Sequence, residues 1–298
     1  MPRLSVNGIN LNYRFDGTEG KPVLLFSNSL MSNLHMWDTQ VAKLASDFHI
    51  LRYDSRGHGQ SDAPKGDYTI DMLADDVIGL LDALGIEKIY YCGLSKGGMV
   101  GQKLATRNPE RLHAAVFCAT SSYMGPGNLW QQRIDTARAG GMESVSDGTL
   151  ERWFTPDYHS THSLEISKIR EMIHATPVDG FAGCCIAIKD MDQRETIKNI
   201  DLPVLVIAGA DDPGTTSKIF PRACPALWKC CEQVACEART SAQASTRRGR
   251  CWHPRQGDPP KRGARQILHA KVRHHCSRIC LLYTSPSPRD LSTSRMPS

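Results

Sequence analysis

The chain has 298 residues, enough for one large α/β domain or two smaller ones with a substantial core. Its net charge of +5 hides an asymmetry: residues 1–220 carry 21 Lys and Arg against 27 Asp and Glu, a net of −6, while residues 221–298 carry 15 against 4, a net of +11. No apolar run approaches the roughly 20 residues that a membrane-spanning helix needs, and the opening "MPRLSVNGINLNYRF" has no apolar core of a secretory signal. Membrane-spanning and exported classes are therefore set aside, and a reducing cytoplasmic setting is expected. Cys92, Cys118, Cys184 and Cys185 lie in apolar surroundings and read as small buried hydrophobes; the other seven cysteines crowd into the tail.

Strand and helix signals alternate over the first 120 residues, which predicts a mostly parallel sheet with helices on both faces. Leu4–Val6 and Ile9–Phe15 flank Asn7-Gly8, a hairpin signal. "VLLF" (23–26) reads as a buried strand, Trp37–Phe48 as a helix and "HILRYD" (49–54) as the next strand. From Thr69, the residues Ile70, Leu73, Ala74, Val77, Leu80, Leu81 and Leu84 form one helical stripe, closed by Gly85. "KIYYCGL" (88–94), a helix over Lys96–Arg107 and "AAVFCAT" (114–120) continue the rhythm. Between Ser121 and Asn199 the pattern becomes helical and irregular, as expected of an inserted cap at 121–199 over a core whose first part is 1–120. "LPVLVIAGADD" (202–212) restores a buried core strand within 200–220, and past Phe220 no period of either kind is sustained.

"GLSKG" (93–97) stands between a strand and a helix, which is the context that gives G-x-S-x-G its meaning. A serine on so tight a turn is lifted clear of the sheet, and side chains at Gly93 or Gly97 would strike neighbouring backbone. Ser95 is the candidate nucleophile. Acyl transfer also needs two backbone amides aimed at the developing oxyanion. One is that of Lys96, and by position in "SNSLMSNLHMW" the other is that of Leu30. Only main-chain atoms are required at either place. The carboxylate should follow the serine in chain order, at the end of a late strand. Asp212 in "IAGADDPGT" is the choice, with Asp211 as the alternative because neighbouring residues at a strand end point opposite ways.

"SNSL…HMWD", "RYDSRGHGQSD", "CGLSKGGMVGQ", "ERWFTP", "ATPVDGFAGCCIAIKDMDQRE" and "LVIAGADDPGT" together resemble the 3-oxoadipate enol-lactone hydrolases, a capped family of α/β-hydrolases, over residues from about 5 to 216. The segments in the cap are the most specific, since caps diverge fastest in these enzymes. Lys96 departs from the family, where an apolar residue is usual. The resemblance implies a serine esterase reaction on a small lactone in aromatic catabolism, with no metal or organic cofactor and no nucleic-acid or membrane partner. It also implies that the substrate carries a carboxylate, so the pocket should hold a cation: Arg133, beside Trp130, with Trp153 as a possible wall. The plainer reading, a solvated arginine and tryptophans of the cap core, stands beside it.

The resemblance also implies a histidine some thirty residues past the acid, after an eighth strand, and no such pattern follows Asp212. His35 and His58 precede the serine, and His113, His159, His162 and His174 precede the acid, all out of order. His253, His269, His274 and His275 follow it, but no strand signal leads into them. Residues 221–298 are expected to be a non-homologous, disordered tail. A frame error near 216–220 and read-through into adapter-like "LLYTSPSPRDLSTSRMPS" accounts for its composition. Zinc binding by its cysteines fits no regular finger spacing, and its charge comes without a nucleic-acid module. The expected protein is a capped α/β-hydrolase that lacks its base and is nearly inactive. The alternatives are a different capped carboxylesterase, or a non-catalytic relative with a basic binding tail.

Overall fold

The computed structural model describes residues 2–125, 127–209 and 212, together with the backbone of a strand at 232–236. β1 (Arg3–Val6) and β2 (Ile9–Gly17) form the expected antiparallel hairpin, with φ of 47° at Asn7 and 76° at Gly8. Positive φ at both turn residues matches the right-handed twist of the flanking strands, which is why Asn-Gly is favoured there. β2 pairs antiparallel with β4 (His49–Tyr53). From β4 onward the sheet is parallel: β3 (Val23–Ser27), β5 (Ile89–Leu94), β6 (Leu112–Cys118), β7 (Val204–Gly209) and β8 (Glu232–Cys236) follow in the order β1-β2-β4-β3-β5-β6-β7-β8. Leu24, Leu25 and Phe26, or Val204 to Ile207, are buried as continuous runs because helices cover both faces.

The chain goes from β3 to β4 on one side and then returns to lay β5 on the other. The carboxyl ends of β3 and β5 therefore flank a switch point, where loops leave the sheet in opposite directions and a crevice opens. α1 (Asp38–Leu44), α2 (Ile70–Ala83) and α3 (Lys96–Arg107) connect these strands. Thr69 caps α2 by accepting the Met72 amide at 3.0 Å, and the predicted stripe from Ile70 to Leu81 is buried. The helix expected over Trp37–Phe48 is shorter. Its start is a 3₁₀ turn, Leu34–Trp37, because the Asn33 side chain accepts the His35 amide, and α1 stops at Leu44 to leave room for β4.

Among the described residues, five α-helices and a short 3₁₀ helix (Thr196–Asn199) lie between β6 and β7: α4 (Gly127–Gly140), α5 (Glu143–Trp153), α6 (Pro156–Thr161), α7 (Ser163–His174) and α8 (Val178–Lys189). Ile134, Ile173, Phe181, Cys184 and Cys185 fill their interior, and the four cysteines before residue 200 are free and buried. Among the described residues no helix is long and apolar enough to cross a membrane. One expectation needs correction. No strand is expected past Phe220, yet Glu232–Cys236 pairs in parallel with Leu205–Gly209 as β8. Five residues of mixed polarity carry too little alternation to be seen in sequence; the open edge of β7 supplies the template. The remainder of the tail, with His253, His269, His274 and His275, lies outside the described residues.

Candidate active site

Ser95 sits at the junction of β5 and α3 with φ 52° and ψ −111°, a conformation that costs an L residue on the order of 1–3 kcal/mol. Neighbouring bonds hold it there. Its N–H donates to Cys118 O at 2.9 Å, and its carbonyl accepts from Met99 N at 3.0 Å and Thr120 Oγ1 at 2.8 Å. A Cβ at Gly93 would lie within 3.0 Å of the Gly97 carbonyl group, and one at Gly97 within 3.0 Å of the Ser27 carbonyl group. The first turn of α3 thus rests directly on the ends of β5 and β3. Ser95 itself is half-buried, at the crevice.

The loop after β3 faces this turn and is tied down amide by amide. Ser29 N donates to Met36 Sδ at 3.4 Å, Met31 N to His58 Nε2 at 3.0 Å, and Leu34 N to Asp54 Oδ1 at 2.8 Å. Asn28 Nδ2 donates to Tyr53 O at 2.8 Å, and its Oδ1 accepts from Trp37 Nε1 at 2.9 Å. Between the bonded amides of Ser29 and Met31, that of Leu30 has no acceptor among the described residues. The Lys96 amide opens α3, where N–H groups lack intrahelical partners and the helix dipole favours negative charge. Two candidate donors therefore flank the switch point near Ser95.

Asp212 lies three residues beyond the end of β7. The chain folds back there, since a Cβ on Gly209 would be 3.3 Å from Asp212 Cβ. Leu94 of β5 pairs with Cys118 of β6, which pairs with Ile207 of β7. Ser95 and Asp212 thus emerge at the same edge of the sheet from strands two places apart, about 10 Å between axes. Asp211 lies outside the described residues.

No described histidine stands free between them. His58 is fully buried, with Nδ1 3.2 Å from Arg56 O and Nε2 accepting from Met31, so neither nitrogen can take a proton from Ser95. Burial, reinforced by the nearby Lys96 charge, holds its pKa well below the ordinary value. His113 stacks on Tyr90 near the start of β6, at the opposite end of the sheet, and His35 contacts Asp38 at 3.2 Å on the surface. His159 and His162 pack along α6 against Phe154 and Tyr158. His174 ends α7 with a buried Nε2 that has no partner among the described residues.

Arg133 of α4 lies 5.0 Å over the Trp130 ring and 5.6 Å over Phe181 of α8. Its Nε is shut off from solvent without a hydrogen bond, and no carboxylate pairs with it among the described residues. Burial lowers its pKa, partly offset by Cys185 and reinforced by Arg152. Trp130 is buried and donates to Met124 O at 2.8 Å; Trp153 ends α5 exposed and outside the apolar core. The structure thus joins Trp130 to Arg133 and leaves Trp153 apart.

The α/β-hydrolase fold model matches residues 22–172. The chain is 39% identical over 213 residues to 3-oxoadipate enol-lactonase 2 of Acinetobacter baylyi, covering 72% of this chain and 80% of that protein, and 34% identical over 209 residues to enol-lactonase 1 of the same organism, covering 70% and 78%. The chain belongs to the 3-oxoadipate enol-lactonases. The crystal structure of the Burkholderia xenovorans enol-lactonase agrees, with a TM-score of 0.75 at 39% identity over 79% of this chain and 91% of that one.

Against that family, sequence reading missed three supports of the site: His58, Asp54 and the Lys96 side chain. The first two stand in "RYDSRGHGQSD", a segment noted only for its resemblance, and nothing in it says that both hold the loop at 28–34. Lys96 was read for its amide alone. Its side chain is fully buried, with Nζ donating to Ser55 Oγ and 4.0 Å from Cys184 Sγ of α8, and burial lowers its pKa. Among the described residues no group of three or more His, Cys, Asp or Glu side chains gathers as a metal site would require.

Proposed function

We propose that this enol-lactonase hydrolyses a small enol-lactone bearing a free carboxylate, as in 3-oxoadipate enol-lactone, through an acyl-enzyme on Ser95. The observation that carries the reading is the strained turn at Ser95, set at the switch point opposite a Leu30 amide that has no acceptor among the described residues. Ser95 Oγ attacks the lactone carbonyl and loses its proton to a base. The carbonyl oxygen becomes an oxyanion that the Leu30 and Lys96 amides stabilise, each worth about 3 kcal/mol in comparable sites. Collapse breaks the ring C–O bond and expels an enol, which becomes a ketone, and water then releases the acyl group. Asp212 orients the base. Arg133, a cation with its Nε shut off from solvent and no carboxylate beside it among the described residues, pairs with the free carboxylate of the substrate. Such a substrate arises in cytoplasmic breakdown of aromatic rings, and the chemistry calls for no metal or organic cofactor.

The described histidines are committed elsewhere or out of order, and we propose that the chain as translated turns over very slowly. The test compares the full chain with a chimera in which residues after 216 are replaced by the matching part of the Acinetobacter baylyi enzyme. The chimera should hydrolyse the acidic lactone at least about a thousand times faster than the full chain. It should also prefer that lactone to neutral esters. Equal rates in the two proteins would overturn the missing-base reading. Good activity on neutral esters alone would favour a general carboxylesterase, the second reading. The likeness to a Thermogutta terrifontis esterase, TM-score 0.71 at 26% identity over 79% of this chain and 90% of that one, supports this rival.

A further inference from the structure

The Lys96 side chain is fully buried, in a compartment where Nζ bonds to Ser55 Oγ and lies 4.0 Å from Cys184 Sγ. His58, in that compartment, has one possible protonation pattern. A backbone N–H can only donate, so the 3.0 Å contact from Met31 N makes Nε2 an acceptor, and Nδ1 then carries the proton that meets Arg56 O at 3.2 Å. Met31 itself has φ 57°, a left-handed conformation that a methionine holds only under restraint. Leu30, the candidate oxyanion donor, is its neighbour. If His58 took a second proton, Nε2 would become a donor facing a donor, and the restraint on Met31 would be lost.

The groups facing His58 are few. From α8 comes Cys184, whose Sγ is 4.0 Å from His58 Nδ1 and 4.0 Å from Lys96 Nζ. From its own loop come Arg56, neutralised by a bidentate pair with Asp76 of α2 at 2.7 and 2.8 Å, and Asp54, whose oxygens accept from Asn12, Leu34 and Gln60. From α3 comes Lys96, which no carboxylate pairs among the described residues and which bonds to Ser55 Oγ. Ser55 O in turn accepts the His58 amide at 2.9 Å. Burial is the larger reason that His58 stays neutral, and the Lys96 charge is the second.

We propose that Lys96 is a positioning residue that couples the two halves of the oxyanion site: its amide forms one half, and its side chain, through Ser55 and His58, holds Met31 and hence Leu30 in the other. The inference rests on the assignment of Leu30 and Lys96 as oxyanion donors, but its test does not use activity. The test is heteronuclear NMR of the imidazole nitrogens and the Met31 amide in the full chain, titrated from neutral to acid pH, for wild type, Lys96→Met and Ser55→Ala. In the wild type, Nε2 should show the shift of an unprotonated acceptor, and the Met31 amide should be protected from exchange. Lys96→Met should raise the His58 midpoint by about one pH unit, a tenfold gain in proton affinity, while leaving it below the ordinary imidazole value. Met31 protection should be lost at the same pH. Ser55→Ala keeps the charge, so it should loosen the Met31 amide without moving the midpoint. Thermal melting separates this role from simple packing: Lys96→Met replaces a buried amine that no carboxylate pairs among the described residues with an apolar chain and should melt no lower than wild type. An unchanged midpoint in Lys96→Met would overturn the proposal, as would Met31 protection that outlasts His58 protonation. If the NMR results hold and the chimera above lacks lactonase activity, the catalytic reading fails and the coupling stands.

Discussion

The loop at 27–34 and the helices α4–α8 answer the same need, a defined site, by opposite means. The loop is held by polar bonds from three directions: Asn28 to Tyr53 and Trp37, Met31 to His58, Leu34 to Asp54. All its residues but Asn33 are buried, and its backbone includes a left-handed methionine. The helices are held mostly by apolar burial, and in their midst sits Arg133, whose dry Nε has no hydrogen-bond partner among the described residues. A network that bonds the amides on both sides of Leu30 leaves its own amide without an acceptor among the described residues, which suits the proposed oxyanion role. An arginine without a carboxylate among the described residues carries a desolvation cost in the free protein, which the carboxylate of the proposed substrate would offset on binding. Geometry is prepared in the first region and charge in the second.

The contrast can be broken by substitution. Ser95→Ala in the chimera should lower kcat on the acidic lactone by about 10⁴-fold or more, measured by loss of enol-lactone absorbance; a smaller loss would mean that the loop and turn serve another nucleophile. Gly97→Ala drives a methyl group into the Ser27 carbonyl, where the strand cannot yield, and should cost about 3 kcal/mol in a denaturant titration of the full chain. Arg133→Met should raise KM for the acidic lactone by about 30-fold, equivalent to about 2 kcal/mol, with neutral esters unaffected. The full chain carrying Arg133→Met should be as stable as wild type or more so, since the change removes a buried charge; a large loss of stability would make Arg133 a structural residue instead.

The smallest effect concerns pH. His58 has a folded pKa below its unfolded value of about 6.5, so below that pH the unfolded chain binds the proton more readily than the folded one. The stability it contributes is complete above pH 6.5 and is lost as pH falls, at up to about 1.4 kcal/mol per unit. Thermal melts between pH 7 and 5 should show this slope, and His58→Gln should flatten it. A slope that persists in the variant would place the titration elsewhere.

The strand–helix rhythm, the Asn7-Gly8 hairpin, α2 with its cap and the turn at Ser95 were all legible in the sequence, because each follows from local periodicity or from residues fewer than six apart. The inserted helices were legible as a change of rhythm, though not as five separate pieces. The 3₁₀ turn at 34–37 was not, because it depends on Asn33 capping a particular amide. Nor was β8, whose pairing is dictated by the edge of β7 and not by its own pattern.

From residue order alone came the candidates for the nucleophile, the two oxyanion amides and the acid, since a nucleophile on a strand-to-helix turn needs a short motif and the order of the other groups follows from topology. Only tertiary structure decided what surrounds them. That His58 accepts from Met31, that Lys96 bonds to Ser55 and lies against Cys184, and that Arg133 stands over Trp130 and Phe181 with no carboxylate among the described residues all depend on contacts between segments up to 88 residues apart. Such contacts are set by packing and by the demand that buried polar groups find partners, and neither leaves a periodic trace along the chain.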